Sequence, residues 1–276
     1  MERNRRVYPA QQSRDGWLSY LLLFLSALII LSGLVFREEG STLSIKLAST
    51  PTPIPLEEAF DETPCEKELE LPSGNWYALQ LGAFESEEAA RKLGQEYARR
   101  GAAGYVWLDG RYRTLAAVYP LKEDAQAVRS QLSLIHEVDT YLYEISLPAL
   151  RIRLSGMKGQ LEILEAAFLH ANDLITSLQA MSVALDRQET NVPEALDSLH
   201  ALRDQLSIIS LRLRQRFASP RHQAVTGLLE CFDSFIAFAD SFPENENEVM
   251  IATRLKQQTL DSLDLLHKVY QTLSNT

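Results

Sequence analysis

Residues 75–84 read NWYALQLGAF, and the fold follows from how this stretch alternates. Tyr77, Leu79 and Leu81 fall on one face and Trp76, Ala78, Gln80 and Gly82 on the other, the period of a half-buried β-strand. Directly after it comes SEEAARKLGQEYARRG. Here Ser86 is placed to cap a helix that has Glu87 and Glu88 in its first turn and Arg99 and Arg100 at its end before Gly101, so each sign matches the helix dipole. Ala89, Ala90, Leu93 and Tyr97 form its expected buried stripe. Residues 105–108 read as a second strand, Asp109-Gly110 as a tight hairpin turn, and residues 111–119 as a third strand. In that third strand Tyr112, Thr114, Ala116 and Val118 alternate with Arg111, Arg113, Leu115 and Ala117. Pro120 ends it, residues 122–135 make a second helix with Ala125, Val128 and Leu132 on one face, and residues 140–147 a fourth strand. The order is βαββαβ. Two helices on one side of a four-stranded antiparallel sheet give an α+β, ferredoxin-like (RNP-like) arrangement with its other side open.

An open face carrying Trp76, Gln80, Tyr105, Trp107, Arg111 and Arg113 has the chemistry of a saccharide-binding surface. Flat aromatic rings pack on the apolar faces of sugars, while amide and guanidinium groups donate to hydroxyl, N-acetyl and lactyl oxygens. The competing reading for the aromatics is that they pack on an interdomain surface or in the opposite core. The alternation of Tyr141 and Tyr143 with Leu142 and Glu144 does not say which pair faces outward.

The stretch YALQLGAFESEEAARKLGQEYARRG, followed by DGRYRTLAAVYPLKEDAQAVRSQL, resembles a SPOR domain, a bacterial module of two imperfect repeats. Gln80, Gly82, Phe84, Ala89, Gly101, Tyr112, Arg113 and Ala125 fall on positions of that pattern. The resemblance covers about a quarter of the chain. It implies binding of peptidoglycan, in particular glycan strands stripped of their stem peptides, through the open sheet face, often at the division septum. Carried over by position, it points to Gln80 on the first strand and Arg113 on the third. The chain departs from the pattern at Ala117 and Val118, where the family commonly has Gly-Pro, at Ala83, where serine is frequent, and at Arg111, where an aromatic residue can stand.

Outside this module, residues 17–36, WLSYLLLFLSALIILSGLVF, form an uncharged apolar run matching the ~20 residues a helix needs to cross the hydrocarbon of a bilayer. It is longer than the apolar region of a cleaved signal peptide and lacks a small-x-small cleavage site. Arg3, Arg5, Arg6 and Arg14 precede it, and Glu38, Glu39, Glu57 and Glu58 follow. The positive-inside rule therefore expects a single-pass anchor in the cell membrane, with a cytoplasmic tail at residues 1–16 and everything after the span extracytoplasmic. Residues 37–74, punctuated by Pro51, Pro53, Pro55, Pro64 and Pro72, read as an acidic linker. The domain assignment is then 75–148 for the SPOR-like module and 149–276 for a helical bundle. A net charge of -10 disfavours nucleic acid, whose binding rests on Lys and Arg neutralising phosphate. Cys65 and Cys231 read as two tolerated free thiols rather than a disulfide framework.

From about residue 152 to 273 the pattern is helical. Met157, Leu161, Leu164, Phe168, Ala171, Ile175, Leu178 and Leu185 keep helical spacing, as do Val192, Leu196, Leu199, Leu206, Ile209 and Leu213. Two further helices are expected near residues 221–241 and 246–273, giving an up-and-down four-helix bundle or a pair of hairpins that dimerise. Asp197-x-x-His200 and Asp264-x-x-His267, with Glu162, Glu165 and Glu230, faintly match the ligand spacing of di-iron bundles. The phase is wrong: Leu196 and Leu199, and Leu263 and Leu266, take the core, so the polar pairs turn ~100° away and a solvated or capping role is expected. Arg212, Arg214, Arg216, Arg221 and His222 cluster at one helix end, where cations complement terminal carbonyls.

No nucleophile, paired-acid or phosphate-loop motif appears, so no enzyme activity, metal or cofactor is expected. These readings converge on a membrane-anchored protein that binds denuded glycan strands of peptidoglycan and localises to sites of wall remodelling in cell division or sporulation. The alternative is a membrane-tethered scaffold acting through protein–protein contacts of its helical bundle.

Overall fold

The strand β2, Gly74–Phe84, is the one on which the sheet is assembled. It pairs antiparallel with β4, Tyr112–Tyr119, on one side and with β5, Tyr141–Leu147, on the other. Strand β3, Tyr105–Leu108, adds outside β4, so the order is β3-β4-β2-β5. The computed structural model describes residues 62–217, 221–243 and 246–275. All of these lie in one unit, Lys46–Thr276. Helices α1, Glu87–Ala98, and α2, Lys122–His136, connect the strands in the expected βαββαβ order and cover one face of the sheet. Ser86 caps α1 as its position requires, its hydroxyl accepting from the Ala89 N–H at 3.3 Å.

Strict alternation fails at two places. The register between β2 and β4 slips at Leu79/Gln80 and again at Gln80/Gly82. On β4 this turns Ala116 and Ala117 together toward the α1 and α2 side, while Leu115 and Val118 join the core on the opposite face. On β2 it sends Leu81 into the helix-side cluster and Gly82 toward α1, where an added Cβ would come within 3.2 Å of Leu93. Gly82 therefore does not share a face with Gln80, as two-residue periodicity expects. Each β-bulge sets two neighbouring residues against one partner and so resets which face follows.

Two stretches read otherwise in the sequence are strands. Pro64–Leu71, within the expected linker, is β1, and Leu150–Met157, at the expected start of the helical region, is β6. They pair antiparallel in full register, Pro64 against Met157 through Leu71 against Leu150, as a separate two-stranded sheet. Leu69 and Leu71 are buried in the main core, whereas the outward row pairs Arg151 with Glu68 at 3.2 Å and with Glu70 at 2.7 Å. Lys67 makes an ion pair with Glu165 of the following helix.

That helix, α3 (Lys158–Asp186), is followed by α4 (Val192–Arg216), α5 (Gln223–Asp240) and α6 (Glu248–Ser274). Each packs on the next and α6 closes against α3, a four-helix bundle with short connections. Asn191 and Asn247 cap α4 and α5's successor α6 by accepting from the N–H groups of Glu194 and Met250. Helix α6 is also the element that reaches the sheet, lying against β3 and β4. It is buried on the bundle side through Ile251, Leu255, Leu263 and Leu266, and it also buries Thr253, Gln258, Thr259 and Ser262. Thr253 and Thr259 satisfy their hydroxyls on backbone carbonyls one turn back, of Val249 and Leu255. The apolar run at residues 17–36 lies outside the described residues. Among the described residues, no helix is long and apolar enough to cross a membrane.

Two predictions follow from this packing. Gly94 of α1 and Gly104, at φ +62°, meet backbone to backbone, and a Cβ on either would collide with the carbonyl oxygen of the other. Gly94→Ala is expected to destabilise the fold, because overpacking costing about 1–3 kcal/mol exceeds the ~1 kcal/mol that alanine gains in a helix. Equilibrium urea unfolding measures the sign; a more stable variant would show that the loop yields. The second concerns the core shared by sheet and bundle. A chain ending at Met157 would uncover Trp76, Trp107, Leu115 and Ile145, each worth about 1.5–3 kcal/mol when buried. Red-shifted tryptophan emission and loss of a cooperative melt are expected, and a sharp melt with blue-shifted emission would contradict it.

Candidate functional site

The sheet face opposite α1 and α2 is not open over most of its area. Trp76, Ala78, Trp107, Leu115, Val118, Ile145 and Leu147 belong to one continuous core with Leu69 and Leu71 of the small sheet and the inward residues of the bundle. Trp76 retains 7% of its surface and Trp107 only 2%. The Trp107 ring packs against His267 of α6 with centroids 5.4 Å apart, and the Tyr105 hydroxyl donates to Asp264 of the same helix at 2.9 Å. A further tie comes from Lys256 of α6, which donates to the Gly101 carbonyl and to Asp186, both at 2.9 Å.

The expectation of an exposed aromatic face is therefore corrected for Trp76 and Trp107, which are buried as apolar floor for the bundle, while Tyr105 is half-buried and tied to α6 through Asp264. Asp264 and His267, expected to be solvated, are instead the residues that meet the sheet. The phase argument put them off the bundle core correctly; the surface they turn toward is another domain's. Among the described residues, no group of three or more His, Cys, Asp or Glu is placed to hold a metal ion. Arg214 and Arg216 of the basic cluster pair with Asp233 and Glu62.

What remains accessible is a strip across the other end of the sheet. Arg113 donates from Nη1 to Gln80 Oε1 at 2.8 Å, so the two residues singled out on separate strands are brought together. Because a guanidinium offers only donors, the Gln80 oxygen must face it, and the Gln80 NH2 group points the other way. The remaining nitrogens of Arg113, Nε and Nη2, reach Asp109 Oδ2 and Oδ1, each at 3.2 Å. The guanidinium carbon lies 4.5 Å from the centre of the Tyr143 ring, and the Tyr143 hydroxyl donates to Asp109. Tyr141, paired with Gln80 on β5, is 61% exposed. Arg111 stands apart from this network in an exposed ion pair with Glu85.

Electrostatics in the strip follow from these contacts. Partial burial pushes the Asp109 carboxyl up, but the hydrogen bonds from Tyr143 and Arg113 and the Arg113 charge outweigh it and hold the group below the usual carboxylate range. Burial, together with the hydrogen bond to Asp109 and its charge, pushes the Tyr143 phenol up to about 12. At neutral pH the strip thus carries one cation, one anion, a neutral phenol and an amide. The chemistry of this set suits a polar ligand, through hydrogen bonds and ring stacking.

Sequence reasoning passed over Asp109, which read only as a turn residue, and left the face of Tyr143 open. The available signal was the spacing: Asp109 and Arg113 flank the hairpin turn four residues apart, where β3 and β4 bring them side by side. Cys65 and Cys231 are both free thiols, the second buried, with burial pushing its pKa up to about 12.

The tie at Tyr105 has a pH signature. Burial above all, then the charges of Asp264 and Asp261, raise its phenol pKa well above the usual value. A raised folded pKa contributes stability that is complete below the unfolded value of ~10 and is lost as pH rises beyond it. The wild type is expected to lose thermal stability above pH ~10 more steeply than Tyr105→Phe, which at pH 7 costs about 1–2 kcal/mol. Parallel stability curves for the two chains would refute this.

The SPOR domain family model matches residues 72–143, which span β2 through the first residues of β5. No curated protein and no solved structure matches the chain. The matched segment contains Gln80, Asp109, Arg113, Tyr141 and Tyr143, and it folds in the βαββαβ order that the two half-repeats imply. This chain is a SPOR domain-containing protein.

Proposed function

We propose that this protein binds peptidoglycan, taking denuded glycan strands on the strip formed by Gln80, Arg113, Tyr141 and Tyr143, and that it localises to sites of wall remodelling in division or sporulation. SPOR domains bind peptidoglycan. The observation that carries the reading to particular residues is the Gln80–Arg113 hydrogen bond, which sets an amide and a guanidinium beside an exposed tyrosine. That combination stacks on a pyranose ring and donates to its hydroxyl and N-acetyl oxygens. Trp107 supports the strip from the core through its contact with Tyr143. The apolar run at residues 17–36 would anchor the chain in the cell membrane with its N-terminus cytoplasmic and the folded part outside. No chemical step is assigned to the protein; it acts by binding and positioning.

A second reading is favoured by one observation, the burial of most of the sheet face under the bundle. It makes the sheet an assembly surface and the bundle the working part of a membrane-tethered scaffold with a protein partner.

Co-sedimentation of the full-length chain with purified sacculi separates the two. Binding that rises after the sacculi are treated with amidase, and that falls at least tenfold in Gln80→Ala/Arg113→Ala, is the expected result; tenfold corresponds to ~1.4 kcal/mol, a modest loss for two polar contacts. Retention by neither preparation would leave the scaffold reading in its place.

A further inference from the structure

We propose that Asp109 is a built-in stand-in for the carboxylate of the ligand, and that it is displaced from Arg113 when a glycan strand bearing a free lactyl carboxylate binds. The proposal rests on the glycan reading above and assigns to it the group that the site recognises.

The geometry of Arg113 is that of an arginine already holding a carboxylate. Its Nε and Nη2 engage the two oxygens of Asp109 in the bidentate manner with which a guanidinium grips a planar anion. Both contacts are 3.2 Å, longer than the ~2.7–2.9 Å of a tight charge-assisted pair. The pair faces solvent, with the Asp109 side chain 37% exposed in the hairpin turn, and exposed ion pairs of this kind contribute little. Displacing Asp109 gives up this weak pair and the hydrogen bond from the Tyr143 hydroxyl, both of which an incoming carboxylate can take over. The guanidinium meanwhile keeps its orientation, because its third nitrogen remains bonded to Gln80 and its face remains on the Tyr143 ring.

The chemistry of the wall supplies the matching group. On an intact strand each lactyl group is joined to the stem peptide by a neutral amide. Hydrolysis of that amide releases the peptide amine and leaves a carboxylate on the strand. At the lactyl position only the stripped strand presents a charge able to replace that of Asp109 on Arg113; an amide oxygen there competes poorly with a carboxylate already in place.

The test uses the full-length chain and its Asp109→Asn variant, in which Asn-Gly is itself a favoured hairpin dipeptide, so that the turn is kept. Binding is measured to denuded glycan strands and to the same strands with their lactyl carboxylates converted to methylamides. The variant is expected to bind carboxylate strands about two- to fivefold more tightly than wild type, the range of one exposed ion pair returned to the ligand. On the methylamide strands both chains should bind weakly, and alike to within twofold. If wild type binds carboxylate strands and Asp109→Asn binds them equally or less well, the displacement is wrong while the glycan reading stands. The same holds if the variant gains equally on both kinds of strand. Binding of neither chain to either strand would overturn the glycan reading and this inference with it.

Discussion

A four-stranded sheet with helices on only one side leaves a second face that must be either polar or covered. In this chain the uncovered face would present Trp76, Trp107, Leu115, Val118, Ile145 and Leu147 to water, a contiguous apolar patch too large for a soluble surface. The bundle resolves this by packing α6 against β3 and β4. Its contacts there combine apolar burial with directional ties, Tyr105 to Asp264, Trp107 to His267 and Lys256 to Gly101 and Asp186. Burial supplies the affinity between the two parts, while the polar ties choose the register of α6 on the sheet, since each is made only in one placement.

The small sheet of β1 and β6 belongs to the same solution. It closes immediately before the SPOR segment and immediately after it, so the chain enters and leaves the module as a paired ribbon. Leu69 and Leu71 reach under the sheet into the common core, and Lys67 holds α3 through Glu165. The module is thereby fastened to the bundle at its base as well as along its face. Among the described residues, the part of this sheet face left uncovered lies toward the β3–β4 hairpin, which carries Asp109 and Arg113.

Much of the module was legible from local pattern. The Ser86 cap of α1, the Asp109-Gly110 turn and the alternation of β2 up to Gln80 all depend on interactions within a few residues, and they hold in the structure. The misreadings have long-range causes. Pro64–Leu71 has an alternating pattern, but an isolated strand of this kind has no partner in its neighbourhood; its partner lies beyond the whole module. The two bulges are likewise a property of the pairing of β2 with β4, and they reassign Gly82, Ala117 and Val118 without any mark in the composition. For α6, helical periodicity identifies the stripe of Leu255, Leu263 and Leu266 that enters the bundle. The second surface, with Asp264 and His267, is polar and so reads as solvent-facing.

The sequence by itself determined the SPOR half-repeats, the helical character of the C-terminal region and the candidacy of Gln80 and Arg113, because these rest on residue type at short, fixed spacings. Only the tertiary structure decided which aromatic residues are available to a ligand. Trp76 and Trp107 carry the same chemistry whether they face a sugar or a helix, and the choice depends on what α6, more than a hundred residues away, brings to them. It also decided the company of Arg113: a hairpin aspartate and a tyrosine on β5 become its partners because antiparallel pairing sets β3, β4, β2 and β5 side by side.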